Sequence, residues 1–88
     1  MAKRVVLVTG GSGALGQAIT QRLLADGDVV CVPWIVDKER ARLEASVDAA
    51  TRPRLLLERC DVGDDAAMER LVTSVVSRHQ RIDVLVSA

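Results

Sequence analysis

Residues 5–16 read Val5-Val6-Leu7-Val8-Thr9-Gly10-Gly11-Ser12-Gly13-Ala14-Leu15-Gly16. An apolar run of strand character ends abruptly in a glycine cluster, and Leu15, Ala18, Ile19 and Leu23 then recur at helical spacing. The spacing predicts a strand, a tight turn and a helix. Glycines in such a turn let backbone N–H groups approach a phosphate closely, and the helix N-terminus behind them carries about half a positive charge. A dinucleotide pyrophosphate suits both properties.

The rest of the chain bounds what this turn can belong to. Its 88 residues are enough for one domain with a modest core. The apolar half of the composition is Val, Leu, Ala and Ile, with no Phe or Tyr and with Trp34 as the single aromatic, which suits buried parallel strands under helices. Net charge is zero with both signs interspersed, so electrostatics invites neither nucleic acid nor an anionic membrane. Lys3 and Arg4 ahead of Val5–Val8 imitate a signal peptide, but the apolar run stops at Thr9. No stretch approaches the ~20 apolar residues of a membrane span, and a soluble, cytoplasmic protein is expected. Cys31 and Cys60 lie in apolar strand-like runs without metal-ligand or redox spacing, so reduced, buried thiols are expected and no metal site.

Further along, the first helix is expected from Ser12 or Gly13 to Asp26, with Gly27 as a left-handed stop. Val29 opens a second strand, ended near Val32 because Pro33 cannot donate a ladder hydrogen bond. Asp37 is the expected N-cap of a second helix with Leu43, Val47 and Ala50 along one face, closed by Thr51-Arg52-Pro53. Leu55 to Cys60 reads as a third strand with Asp61 and Val62 at its carboxyl end. Asp64 or Asp65 caps a third helix, in which Met68, Leu71, Val72, Val75 and Val76 follow helical periodicity without a miss. Ile82–Val86 is the fourth strand.

Alternation of this kind gives an α/β fold: a Rossmann-like, doubly wound parallel sheet, β-α-β-α-β-α-β, with right-handed crossovers. Strand order 3-2-1-4 is expected, incomplete on its C-terminal side. Ligands of such sheets bind at the carboxyl ends of the strands where the order reverses, here strands one and four. The glycine turn lies at that point.

Gly11-Ser12-Gly13-Ala14-Leu15-Gly16 fits G-x-G-x-x-G, a pattern that plain tight turns also produce. A phosphate loop of the Walker type is disfavoured, since Gln17 and Ala18 stand where Lys and Ser or Thr would follow. Three features taken together are more specific: Thr9-Gly10 before the glycines, Asp61-Val62 after strand three, and Ile82-Asp83-Val84-Leu85-Val86 at the expected distance. The combination resembles the short-chain dehydrogenase/reductase family over the whole chain, which corresponds to the N-terminal part of a typical member.

The resemblance implies one NAD(P)-binding domain over residues 1–88. It implies that Gly10 makes the turn, that Gly13 and Gly16 belong to the glycine pattern, and that Gly16 lets the helix pack on the sheet. Ser12 and the Leu15 N–H would face the ribose and pyrophosphate, and Asp61, followed by Val62, would accept from the adenine amino group. Ala14 replaces the middle glycine of the commonest form, while Gly10, Gly13 and Gly16 satisfy the variant of the extended branch, so the branch stays open. The cofactor is NAD or NADP: strand two ends in Pro33 and Trp34 rather than an acid, and the turn carries no Arg or Lys. Trp34 either packs on the adenine or plugs the space beneath the second helix.

Hydride transfer in this family relies on a Ser and a Y-x-x-x-K pair, because the substrate oxygen needs an acid whose pKa a nearby ammonium lowers. The chain has no Tyr, and its lysines are Lys3 and Lys38. No residue here is a candidate catalytic acid; His79, at the end of the third helix, reads as a helix-terminal cation or a solvated side chain rather than a general base. Two readings remain: the cofactor-binding portion of an oxidoreductase that works as a homo-oligomer in full-length form, or a free-standing nucleotide-binding or sensing module. An open Val/Leu edge on strand four favours the first.

Overall fold

Residues 4–88 are described by a computed structural model. Strand β1 (Val5–Thr9) leads through the glycine turn into α1 (Ala14–Ala25), and β2 (Val29–Trp34) leads into α2 (Asp37–Ala45). A 3-10 turn at Arg52–Arg54 precedes β3 (Leu55–Arg59), and α3 (Asp65–His79) returns the chain to β4 (Val84–Ser87). The four strands form one parallel sheet in the order β3-β2-β1-β4. This is the doubly wound order expected, reversing between β1 and β4.

Alternation along β1 divides the core. Val5 and Leu7 join Val29, Cys31 and Cys60 on one face, where α3 supplies Leu71 and Val75. Val6 and Val8 join Val30, Val32 and Leu55 on the other, covered by Leu24 of α1 and Leu43 of α2. Because both faces are covered, β1 and β2 are almost continuously buried, which is why they read as unbroken apolar runs. Right-handed crossovers place α1 and α2 on one side and α3 on the other, since the chain reverses direction across the sheet only after β3.

Several boundaries differ from those expected. Strand β2 does not end at Val32 but runs through Pro33 to Trp34, pairing Pro33 with Glu58 and Trp34 with Arg59. The Trp34 carbonyl accepts from the Cys60 N–H across the β3 side, so by alternation the Pro33 nitrogen faces the β1 side, where the β1–β2 ladder has stopped at Leu7 and Cys31. Its missing N–H interrupts no ladder. Asp37 is not the cap of α2: Val36 holds the cap position and no side chain caps it, leaving Asp37 as the first helical residue. Helix α2 ends at Ala45, so Val47 and Ala50 lie beyond it, and Leu43 alone of that trio is a buried helix residue.

Strand β4 begins at Val84 rather than Ile82. Ahead of it, the Asp83 N–H donates to the Val5 carbonyl at 2.8 Å, while the Val5 N–H donates to the Asp83 carboxylate at 2.7 Å. A side chain has taken the place of a backbone acceptor at the mouth of the ladder. The expected cap of α3 is present, with Asp64 Oδ1 accepting from the Ala66 and Ala67 N–H groups. Val72 and Val76 of α3 are 37% and 40% exposed, because the helix turns only Leu71 and Val75 fully onto the sheet.

Gly27, at φ +96°, is the left-handed residue expected after α1. The turn it belongs to carries more than sequence periodicity revealed. Asp28 is completely buried, and Arg4 clasps its carboxylate through Nε (3.3 Å) and Nη2 (2.8 Å). Arg54 donates to the Leu24 and Asp28 carbonyls, tying the approach to β3 back to this turn.

Candidate functional site

The glycine turn closes on itself through close backbone approaches. Gly10 has φ +74°, a region L side chains rarely adopt, and a Cβ there would stand 2.5 Å from the Ala88 carbonyl oxygen. A Cβ on Gly16 would overlap the Gly10 carbonyl oxygen and lie 2.6 Å from Gly11 Cα. Helix α1 therefore rests directly on the turn. Its buried face is Gly16, Thr20 and Leu24, not the Leu15, Ala18, Ile19 and Leu23 stripe that periodicity suggested, and Leu15 is 69% exposed. The small face faces the sheet because only a glycine permits the approach.

Two side chains hold the turn from inside. Thr20, fully buried, donates through Oγ1 to the Gly11 carbonyl at 3.4 Å, and Gln17 donates through Nε2 to the Ser12 carbonyl at 2.9 Å. Neither stands out in sequence, since a helical Thr or Gln carries no signal until its partner is known. At the start of α1, Gly13 is the cap residue and makes no side-chain cap bond, and the first turn holds no acid. Helix α3, by contrast, has its first N–H groups occupied by Asp64. The N-terminal end of α1 thus presents backbone donors and a positive dipole end at the carboxyl ends of β1 and β4. Ala14, the first helical residue, is exposed, so its methyl lies off the packed side of the turn.

Beside this end lies a cavity of about 150 Å³. Gly10 and Ser12 line it from the turn, Pro33 and Ile35 from the end of β2, Glu39 from α2, and Cys60, Asp61 and Val62 from the end of β3. Four of the residues singled out from sequence, Gly10, Ser12, Asp61 and Val62, come together here. Gly13, Leu15 and Gly16 are placed along the turn and the first turn of α1. Trp34 is not in the lining: its ring is approached by the guanidinium groups of Arg40, 5.0 Å from the ring centre, and Arg59, 6.0 Å from it.

The polar groups of the cavity have defined partners. Ser12 is 5% exposed and donates through Oγ to Glu39 Oε1 at 3.1 Å. Asp61 Oδ1 accepts from the Gly63 N–H at 2.9 Å, which orients the carboxylate at the carboxyl end of β3. Burial pushes the Cys60 thiol above its ordinary pKa, with the neighbouring Asp64 and Asp61 adding to the shift. Glu39 is the charged lining residue that sequence reasoning missed, beside Pro33, Ile35 and Cys60. Its position in an exposed-looking charged helix gave no signal, and only the packing of α2 against the turn brings it to Ser12.

Comparison with known proteins agrees with this architecture. The short chain dehydrogenase family model matches residues 4–88. The chain is 39% identical over 84 residues to levodione reductase of Leifsonia aquatica, covering 91% of this chain and 30% of that protein. The crystal structure of a levodione reductase superposes with a TM-score of 0.81 at 34% identity, over 97% of this chain and 33% of the other. A short-chain dehydrogenase/reductase from Serratia marcescens superposes with a TM-score of 0.84 at 27% identity, over 99% and 36%. The chain belongs to the short-chain dehydrogenase/reductase family, an oxidoreductase family that uses nicotinamide dinucleotides. It spans about a third of the length of these relatives.

The residues present fit such a cofactor. The uncapped start of α1 matches an anionic pyrophosphate, and the adjoining cavity, smaller than the ~300–1,000 Å³ of a complete ligand site, suits one end of a dinucleotide. Among the described residues no group of three His, Cys, Asp or Glu side chains is arranged to hold a metal ion, and no helix is long and apolar enough to cross a membrane.

Proposed function

We propose that this chain is the dinucleotide-binding portion of an NAD(P)-dependent oxidoreductase. The hydride it serves would pass between the nicotinamide and a carbonyl or alcohol substrate. The observation that carries the reading is the uncapped N-terminus of α1 resting on Gly10, at the sheet's reversal point and beside a cavity edged by Ser12 and Asp61. The first-turn N–H groups around Leu15 would hold the pyrophosphate, and Ser12, Asp61 and Val62 the adenosine end. Residues 1–88 make up one partial domain of this kind. The acid that serves the substrate oxygen would lie outside these residues, as the chain has no Tyr. Two cysteines buried without a disulfide fit a reducing, cytoplasmic setting, and the full-length form would be a homo-oligomer.

A thermal melt tests the binding reading. Unfolding 88 residues releases about 0.18 kcal/mol/K, so a nucleotide at a hundred times its Kd, worth about 2.7 kcal/mol, raises the Tm by about 15 °C. The rise is expected with NAD(H), NADP(H) or both. A Tm left unchanged by all four nucleotides overturns the assignment.

A further inference from the structure

The end of β2 holds no acid, yet the helix after it brings one into the cavity. Glu39, on the first turn of α2, reaches across to Ser12 and accepts its hydroxyl hydrogen at 3.1 Å, and both residues line the cavity with Gly10, Ile35 and Asp61. Asp37, two residues earlier, is exposed and outside the lining. The cavity therefore presents two carboxylates and, among its described lining residues, no Lys or Arg. The nearby cations are turned elsewhere: Arg40 lies over the Trp34 ring and pairs with Glu44, Arg59 lies on the same ring, and Lys38 is exposed outside the lining.

A carboxylate only accepts hydrogen bonds, and its two oxygens offer about four acceptor positions, of which Ser12 uses one. A ribose hydroxyl can donate to those that remain. A phosphate monoester at the same place is mostly dianionic at neutral pH, so it has little hydrogen to give and sets nearly two negative charges against Glu39, with no guanidinium or ammonium among the described lining residues to offset them.

Resting on the dinucleotide reading above, we propose that Glu39 selects the cofactor: it accepts a hydroxyl of the adenosine ribose and repels a 2′-phosphate, so the site takes NAD in preference to NADP. The acid that sequence spacing seeks at the end of β2 is supplied instead from the first turn of the following helix. Ser12 is the positioning partner that holds the carboxylate toward the turn.

The test is fluorescence titration of NADH and NADPH into the 88-residue chain and its Glu39→Gln, Glu39→Ala and Asp37→Asn variants, each first checked for native helix content by circular dichroism. The chain and Asp37→Asn bind NADH at least about tenfold more tightly than NADPH. Both Glu39 variants narrow that ratio at least about fivefold, chiefly by tightening NADPH, and added salt narrows it more in the unsubstituted chain than in Glu39→Gln, where Asp61 is the carboxylate left in the cavity. Equal binding of the two nucleotides by the unsubstituted chain overturns the proposal and leaves the dinucleotide reading standing. The proposal also falls if both Glu39 variants weaken NADH and NADPH alike, because that marks a purely structural role. Binding of neither nucleotide overturns both.

Discussion

Replacing Gly16 by alanine adds one methyl at the tightest point of the molecule. Its Cβ would overlap the Gly10 carbonyl oxygen and stand 2.6 Å from both Gly10 C and Gly11 Cα. All three are backbone atoms, so no flexible side chain can swing away. The turn is also held by the Gly13 N–H to Gly10 O bond (3.1 Å) and by Thr20 on the Gly11 carbonyl. Helix α1 must therefore retreat by more than about 1 Å to restore ordinary contact distances of about 3.5 Å. Overpacking of this kind costs about 1–3 kcal/mol, and backbone on every side puts Gly16 at the upper end. With an unfolding entropy near 0.18 kcal/mol/K for 88 residues, a loss of about 3 kcal/mol lowers the Tm by about 16 °C. Gly13→Ala is the control. Its Cβ meets the Gly10 oxygen at an unstrained 3.5 Å and its φ is −74°, so the Tm falls by less than about 5 °C. Calorimetry on the two variants separates the cases. Equal melting of Gly16→Ala and Gly13→Ala would refute the claim that α1 seats on the turn through Gly16.

Acid should weaken the fold through particular carboxylates. Arg81 and the Val5 N–H hold the Asp83 carboxyl below its ordinary value, and Arg52, then Arg40, do the same for Glu44. A carboxylate depressed in the folded state adds stability above its unfolded pKa, so urea midpoints should stay level above pH 5 and fall as the pH drops through about 4.5 and below. Asp83→Asn should flatten that fall, and an unchanged profile would remove Asp83 from the account. Burial, followed by the charge of Glu58, pushes the Cys31 thiol up to about 12, so a thiol reagent at pH 8 should leave Cys31 unlabelled until the chain unfolds. Labelling of native protein at Cys31, mapped by mass spectrometry, would contradict its burial. Asp64→Ala removes the cap from the first turn of α3 and should cost about 1 kcal/mol, or about 5 °C in Tm. No change in Tm would mean that water caps the helix equally well.

Features legible in the sequence are those whose physical cause is local. The apolar runs at Val5–Val8 and Val29–Val32 are strands because both faces of the sheet are covered, and that double coverage writes itself into consecutive residues. Asp64 three residues before Ala67 is a cap whose donor and acceptor are neighbours in sequence. Expectations fail where the partner is remote. Pro33 stays in β2 because the β1–β2 ladder has already stopped, at Leu7 and Cys31, on the side its nitrogen faces, a fact of register between strands. The α1 stripe from Leu15 to Leu23 misleads because Gly16 lets a small face, not the bulky one, approach the sheet.

The sequence by itself determined the alternation of strands and helices and the glycine turn, because each is encoded in residue types at short spacing. With them it determined the strand order, through the handedness of the crossovers, and the family, through Thr9-Gly10, Asp61-Val62 and Ile82–Val86 taken together. Only the tertiary structure decided how the cavity is furnished. Ser12 and Glu39 are 27 positions apart, on a turn and a helix with no shared periodicity, and their hydrogen bond exists because α1 and α2 cover the same face of the sheet. Trp34 likewise meets Arg59 through the β2–β3 register and Arg40 through the placement of α2, neither of which a local pattern records. Spacing along a chain specifies an element's own hydrogen bonds; which side chains meet across elements depends on how closely those elements pack, and here one missing methyl at Gly16 governs how closely α1 packs.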